Sequence, residues 1–180
     1  PGMSNVPHVV MDDYGGGRIA AREVLSRGYR RPGGMFKVDD LQGKERLKGF
    51  LDEMNSQGVM IPDAHLLLFG TEQRMNLLQT AEGVEFIGRL KKHEMDCLTC
   101  YNDIFAVSLM GLLNQQGMKI PEEMGFIGFD NATYAEMANL TTLGHPKEAF
   151  GSLCAEKLLR MIGGEKEKSV NMAWNLVERA

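Results

Sequence analysis

The chain has 180 residues, of which 43% are hydrophobic and 24% charged, and a formal net charge of −4 at pH 7. That balance is ordinary for a globular protein and long enough for one large domain or two small lobes. It suits nucleic acid poorly, and no apolar run approaches the roughly 18 residues of a membrane span.

Residues 1–5 show neither the basic nor the apolar region of a signal peptide, so a cytoplasmic chain is expected. From there short apolar runs alternate with helical patterns, the signature of βαβ units around a parallel sheet. Residues 8–11 predict a strand that ends in Asp12 and Asp13. Glycines 15 to 17 follow, and Ala20 with Val24 and Ala21 with Leu25 then set the spacing of a helix stopped by Gly28. The order Asp-Asp-Tyr-Gly-Gly-Gly is neither G-x-G-x-x-G nor a P-loop, which argues against a nucleotide site. Residues 34–38 form the next strand, with Asp39, Asp40 and Gln42 behind it. Leu47, Phe50, Leu51 and Met54 then mark one face of an amphipathic helix ending near Gly58. Arg46 in its first turns is either a solvated helix residue or a fork aimed into a cleft.

Residues 65–69 predict a third strand, followed by Gly70, Thr71 and Glu72. A helical region runs from Met75 to Leu90 with a break expected at Gly83, and Lys91, Lys92 and His93 close it as the helix dipole favours. The fourth strand, residues 97–101, hands over at Asn102 and Asp103 to a helix over residues 104–116. Cys97 and Cys100 form a C-x-x-C, but an offset of three puts them on opposite faces of a strand. With no second pair and no histidine pair, they read as buried, inert thiols rather than a redox or zinc site. The helix behind them is apolar nearly all round, and a homodimer contact is its expected cover. Residues 125–129 are the fifth strand, ending in Asp130 and Asn131, with a helical turn near residues 134–137. Pro146 suits the first position of a helix whose buried face would be Phe150, Leu153, Cys154, Leu158 and Met161, ended by Gly163 and Gly164. Residues 172–178, with the single tryptophan, form a last strand.

Five strands thus end in polar groups: Asp12 with Asp13, Asp39 with Asp40, Thr71 with Glu72, Asn102 with Asp103, and Asp130 with Asn131. Each suits a helix N-cap. Five such lips on one edge of a parallel sheet, where ligands bind, predict a polar cleft with Arg46 beside it. Carboxylates accept from neighbouring sugar hydroxyls, and an asparagine amide and an arginine fork donate to them. Phe69, Tyr101, Phe129 and Tyr134 are candidates to offer ring faces to a sugar, with some of them expected in the core. No serine or cysteine nucleophile stands beside a histidine at a lip. Binding is therefore expected rather than catalysis, with no cofactor and no metal.

These motifs resemble the effector domains of the lactose/galactose-repressor family. The stretch DDYGGGRIAAREVLSRGYR is similar to that family's D-N-x-x-G-G-x-x-A-x-x-x-L-x-x-x-G-H segment, and residues 44–50 to its R-L-x-G-F. Asn102 and Asp103 stand for its N-D before a helix, residues 120–130 for its I-P-x-D-x-x-V-x-G-F-D, and residues 140–143 for its L-T-T-I. FKVDDLQGKERLKGF with TTLGHPKEAFG looks most like the arabinose-responsive repressors, which carry a gluconate-repressor-type winged-helix head. The resemblance implies an α/β, periplasmic-binding-protein-like fold with parallel sheets and flanking helices. Residues 1–30 and 146–164 would be a remnant of the first lobe, and residues 31–145 and 165–180 a complete second lobe. It places effector contacts on Arg46, Asn102 and Asp130, with His145 as a further polar contact. Asp40, Gln42 and Glu72 fall where relatives vary side chains to select the ligand, whereas Asp103 would only cap its helix. Asp13, Tyr29 and Gly144 depart from the family pattern. The function implied is a cytoplasmic repressor's sensing and dimerising segment, with a small sugar effector, L-arabinose on closest likeness. Operator DNA would be bound only through a head outside this chain, and no membrane is involved. A sugar-transport receptor of the same fold and a sugar-processing enzyme are the alternatives.

Overall fold

Short, largely apolar runs pair as strands, while the amphipathic stretches between them wind into helices that cover the sheet. The computed structural model describes residues 6–179. β1 (Val9–Met11) and β7 (Val170–Met172) form a two-stranded parallel sheet. A larger sheet is built from β2 (Pro32–Lys37), β3 (Leu66–Phe69), β4 (Cys97–Cys100), β5 (Gly125–Phe129), β6 (Thr141–Gly144) and β8 (Asn175–Val177). Its order is β3-β2-β4-β5-β6-β8, parallel except for β8, which runs antiparallel along β6. Residues 141–144 become β6 through their pairing with β5 and β8.

The α-helices of the described residues are α1 (Asp13–Ser26), α2 (Leu41–Ser56), α3 (Ala81–Lys91), α4 (Asp103–Gln115), α5 (Thr133–Met137) and α6 (Lys147–Ile162). Side chains cap four of them: Asp12, Asp40, Thr80 and Asn102 accept from the amides of Gly15, Gly43, Gly83 and Phe105, which satisfies donors the helices leave open. Each face of the large sheet carries its own core. Met35, Phe69, Leu98 and Cys100 pack with α3 and α4 on one side. Phe36, Cys97, Ile127, Phe129 and Trp174 pack with α1 and α2 on the other. The two cysteines of the C-x-x-C therefore lie in opposite cores, where burial pushes both thiols up.

α1 and α2 touch through their backbones. A Cβ at Gly17 would lie 2.1 Å from the Arg46 carbonyl oxygen, and one at Gly49 would lie 2.0 Å from that of Tyr14. Arg18 and Arg22 of α1 both bond Glu53 of α2, which draws the same two helices together.

Several expectations are corrected. Residues 75–80 do not continue one helix. They hold a single 3₁₀ turn (Leu77–Gln79), and the break falls at Thr80, whose hydroxyl caps α3, rather than at Gly83. The strand expected over residues 172–178 is two strands in different sheets, because Trp174 turns into the core between them and leaves the ladder. α1 packs with α2 on the large sheet, and β7 joins β1. Pro146 stands one residue before α6. α6 has no buried residue: Phe150, Leu153 and Cys154 are half-buried, while Leu158 and Met161 are exposed. A period of 3.6 names the apolar face of a helix but not what covers it. Of the described chain, α6 meets mainly β1.

Candidate functional site

Four of the five polar lips share the carboxyl edge of the large sheet. The fifth, at Asp12 and Asp13, arrives from β1 of the small sheet. Between them lies a cavity of about 270 Å³. Gln42, Arg46, Asn102, Asp130 and His145 line it, five of the seven residues singled out from sequence. Met11, Tyr101, Phe150 and Trp174 supply its apolar walls.

Arg46 is 3% exposed and held at two points. Its Nε donates to Asp13 Oδ1 at 2.9 Å and its Nη1 to the Tyr101 carbonyl at 2.7 Å. A guanidinium has five N–H donors, so these two bonds leave others for the cavity. Its Cζ stands over the rings of Phe129, Trp174 and Tyr101 at 4.5, 4.8 and 5.2 Å, distances at which a ring face attracts a cation. Burial pushes the Asp13 carboxyl above its ordinary range, against the pull of the Arg46 charge.

Asn102 keeps its expected place at the cavity and also takes the α4 cap expected of Asp103, its Oδ1 accepting from Phe105 N–H at 3.2 Å. Asp103 is fully buried and is not the cap. Its carboxylate accepts from Ala132 N–H at 2.9 Å and from the Thr142 hydroxyl at 2.5 Å, latching the loop after β5 to β6. Burial pushes its carboxyl up to about 6, although both hydrogen bonds favour the ionised form.

That loop must turn sharply to present Asp130. Asp130 and Asn131 have φ of 106° and 48°, a region that side chains other than glycine enter at a cost of roughly 1–3 kcal/mol each. Three bonds offset the cost: the Asp103 latch, Asp130 N–H to the Leu143 carbonyl at 2.7 Å, and Arg179 Nη2 to Asn131 Oδ1 at 2.8 Å. His145 meets Trp174 edge to face, with ring centroids 5.6 Å apart.

The other two residues fall outside the cavity. Asp40 is spent on structure: it caps α2, pairs with Lys37 Nζ at 2.7 Å and accepts from the Tyr101 hydroxyl at 3.1 Å. Burial opposes its ionisation, but Lys37 and the Gly43 amide outweigh that and hold it below the usual carboxylate range. Glu72 is exposed on a 3₁₀ turn and does not line the cavity. Of the four aromatic faces proposed, Tyr101 alone lines it; Phe69 and Phe129 are core, and Tyr134 is exposed. Among the described residues no cluster of histidine, cysteine and carboxylate side chains could hold a metal ion. No described helix is long and apolar enough to cross a membrane.

The profile of the periplasmic binding protein-like domain matches residues 21–180. The chain belongs to that family. It is 36% identical over 176 residues to the arabinose metabolism transcriptional repressor of Geobacillus stearothermophilus, covering 96% of this chain and 47% of the relative. It is 29% identical over 164 residues to the regulator GalR of Escherichia coli, covering 89% of this chain and 46% of GalR. The chain spans about half the length of the curated relatives it matches. Among solved structures, a regulator from Alkaliphilus metalliredigens in complex with D-xylulofuranose superposes with a TM-score of 0.81. It is 27% identical, and the match covers 97% of this chain and 65% of that one. The CelR–cellobiose complex shares the fold at a TM-score of 0.81 and 23% identity, covering 97% of this chain and 53% of that one. These relatives are named as transcriptional regulators, not enzymes.

In this periplasmic binding protein-like domain, sequence reasoning passed over Met11, Phe150 and Trp174 as cavity walls. Each sits at or near a link between the two sheets, far along the chain from Arg46. The one cue in the sequence was that the strand-like run holds the chain's single tryptophan.

Proposed function

We propose that this chain is the effector-sensing part of a transcriptional repressor and binds a small sugar, L-arabinose, in the cavity around Arg46. The observation that carries this reading is the Arg46 guanidinium, buried and anchored with donors to spare, facing Asn102, Asp130, Gln42 and His145 across a mixed polar and apolar cavity. Hydroxyl-rich rings need that mixture: paired donors and acceptors at their edges, apolar surface against their C–H faces. The 36% identity to an arabinose metabolism repressor supports arabinose. β1, β7 and α6 are read as part of a first lobe, and the large sheet with α1 to α5 as the second. Three links join the two parts, and Met11, His145 and Trp174 stand at or beside them. A sugar held at the links favours one arrangement of the lobes over another. It shifts operator affinity only by its difference in affinity for the two.

The operator is contacted through a DNA-binding head of the parent protein, which places the parent in the cytoplasm. A homodimer forms over the outer face of α4, where Ile104 is 44% exposed beside Met75 at 91%. Calorimetry on the parent with a panel of pentoses and hexoses tests the reading. L-arabinose should bind, and Asp130→Ala should weaken it by about tenfold or more, as expected when a charged partner of a ligand hydroxyl is lost. The reading fails if no sugar binds and if Arg46→Ala with Asp130→Ala leaves operator release unchanged.

A further inference from the structure

We infer that Trp174 is a positioning residue of this cavity: its ring walls in the Arg46 guanidinium so that the free donors stay aimed at the ligand. The inference rests on reading the cavity as the sugar site.

Two hydrogen bonds define a line, and a planar group held along one line can still rock about it. Arg46 is held by two, to Asp13 and to the Tyr101 carbonyl. What limits the rocking is a corner of two rings. Phe129 and Trp174 meet edge to face with centroids 5.3 Å apart and an interplanar angle of 86°, and Cζ of Arg46 lies 4.5 and 4.8 Å from them. Phe129 belongs to β5 and is fully buried, so it is fixed by the sheet. Trp174 comes from the link between β7 and β8 and has no ladder of its own. The same indole also meets His145 at 5.6 Å. One side chain thus touches two polar cavity residues that come from α2 and from the link after β6.

The polar atom of the indole does not explain its choice. Trp174 is 4% exposed, and its Nε1–H has no partner among the described residues. Its pyrrole edge lies over α1, where a Cβ added at Gly16 would sit 2.7 Å from Cδ1 and 3.0 Å from Nε1. A buried donor without an acceptor is a cost, and it is borne where ring surface is what the position requires. Gly16 makes the room for that ring.

The test is calorimetric titration of the parent protein with L-arabinose. Trp174→Leu removes the ring face and should weaken binding by about tenfold, whereas Trp174→Phe, which keeps a face, should stay within about threefold. Gly16→Ala keeps the indole but crowds both rings of the corner, its Cβ falling 2.7 Å from Trp174 Cδ1 and 3.1 Å from Phe129 Cε1, and should also weaken binding several-fold. The guanidinium protons of Arg46 should carry an upfield ring-current shift in the wild type and Trp174→Phe that is reduced in Trp174→Leu. That resonance reports whether a ring still faces the guanidinium, and recovery of affinity in Trp174→Phe separates a positioning role from a purely structural one. If Trp174→Leu fails to fold, the phenylalanine and alanine variants carry the test. Wild-type affinity retained in both Trp174→Leu and Gly16→Ala overturns the role given to Trp174, as does Trp174→Phe binding no better than Trp174→Leu. A wild type that binds none of the sugars overturns the reading of the site itself, a separate result.

Discussion

Arg46→Met is expected to destabilise the fold by about 3–5 kcal/mol, the cost of removing one partner from a buried ion pair. Methionine keeps most of the volume, so the loss reports charge and hydrogen bonding rather than a cavity. The variant strands the Asp13 carboxylate, whose side chain is 10% exposed, and takes a donor from the Tyr101 carbonyl. Without the guanidinium nothing opposes the desolvation that already raises the Asp13 carboxyl. An acid whose folded pKa is raised favours the folded state while protonated, so the deficit should shrink as pH falls. Urea melts at several pH values measure this. Adding Asp13→Asn to Arg46→Met should recover part of the loss, giving a coupling energy in a double-mutant cycle. Strictly additive costs, or a single variant within 1 kcal/mol of wild type, the spread of ordinary surface substitutions being about ±0.5 kcal/mol, would contradict the buried pair.

Asp103 carries the second large effect. Asp103→Ala leaves the Ala132 amide and the Thr142 hydroxyl without their buried acceptor, a loss of about 1–3 kcal/mol. It should also release the strained turn at Asp130 and Asn131 and weaken sugar binding. Asp103→Asn is expected to behave differently. Its Oδ1 can keep the Ala132 amide while its Nδ2 donates to Thr142, whose hydroxyl then accepts. The sign of the pH effect follows from the raised pKa. The Asp103 carboxyl goes from an ordinary 3.8 to about 6 in the fold. Its contribution is therefore complete below about pH 4 and lost as pH rises to about 6. Carboxyls held below their ordinary values, such as Glu53 beside Arg22 and Arg18, act in the opposite sense. The difference between wild type and Asp103→Asn isolates the one group. In denaturant melts from pH 4 to pH 7, the wild type should lose stability relative to Asp103→Asn as pH rises. A constant difference would show that Asp103 keeps the same pKa folded and unfolded.

Much of this architecture was legible because its signals are local. The apolar run before Asn102 is too short for a helix and stops at residues that cap one, so β4 and α4 could be read within a few positions. The apolar face of α2 at Leu47, Phe50 and Met54 was equally plain. Long-range facts were not. Residues 172–178 read as one strand, and nothing within that run says that Trp174 leaves it for the far side of the core. The carboxylates after β2 and β5 look alike in sequence. Asp40 is consumed by Lys37, the Gly43 amide and Tyr101, whereas Asp130 reaches the cavity because two positive-φ residues turn the chain there. The cap that falls on Asn102 rather than Asp103 has the same origin. Which of two adjacent polar residues caps and which is buried depends on β6, a strand that lies forty residues on.

The backbone contact between α1 and α2 has a mechanical consequence. α1 begins with Asp13 and α2 carries Arg46, so the spacing of the two helices is also the spacing of the ion pair that aims the guanidinium. At Gly17 and Gly49 that spacing is set by main chain against main chain, with no side chain between to flex. Close-packed interiors are stiff, and a joint made of backbone alone is stiffer than one cushioned by leucines. The aim of the guanidinium is thus calibrated by two missing methyl groups on helix faces that do not line the cavity.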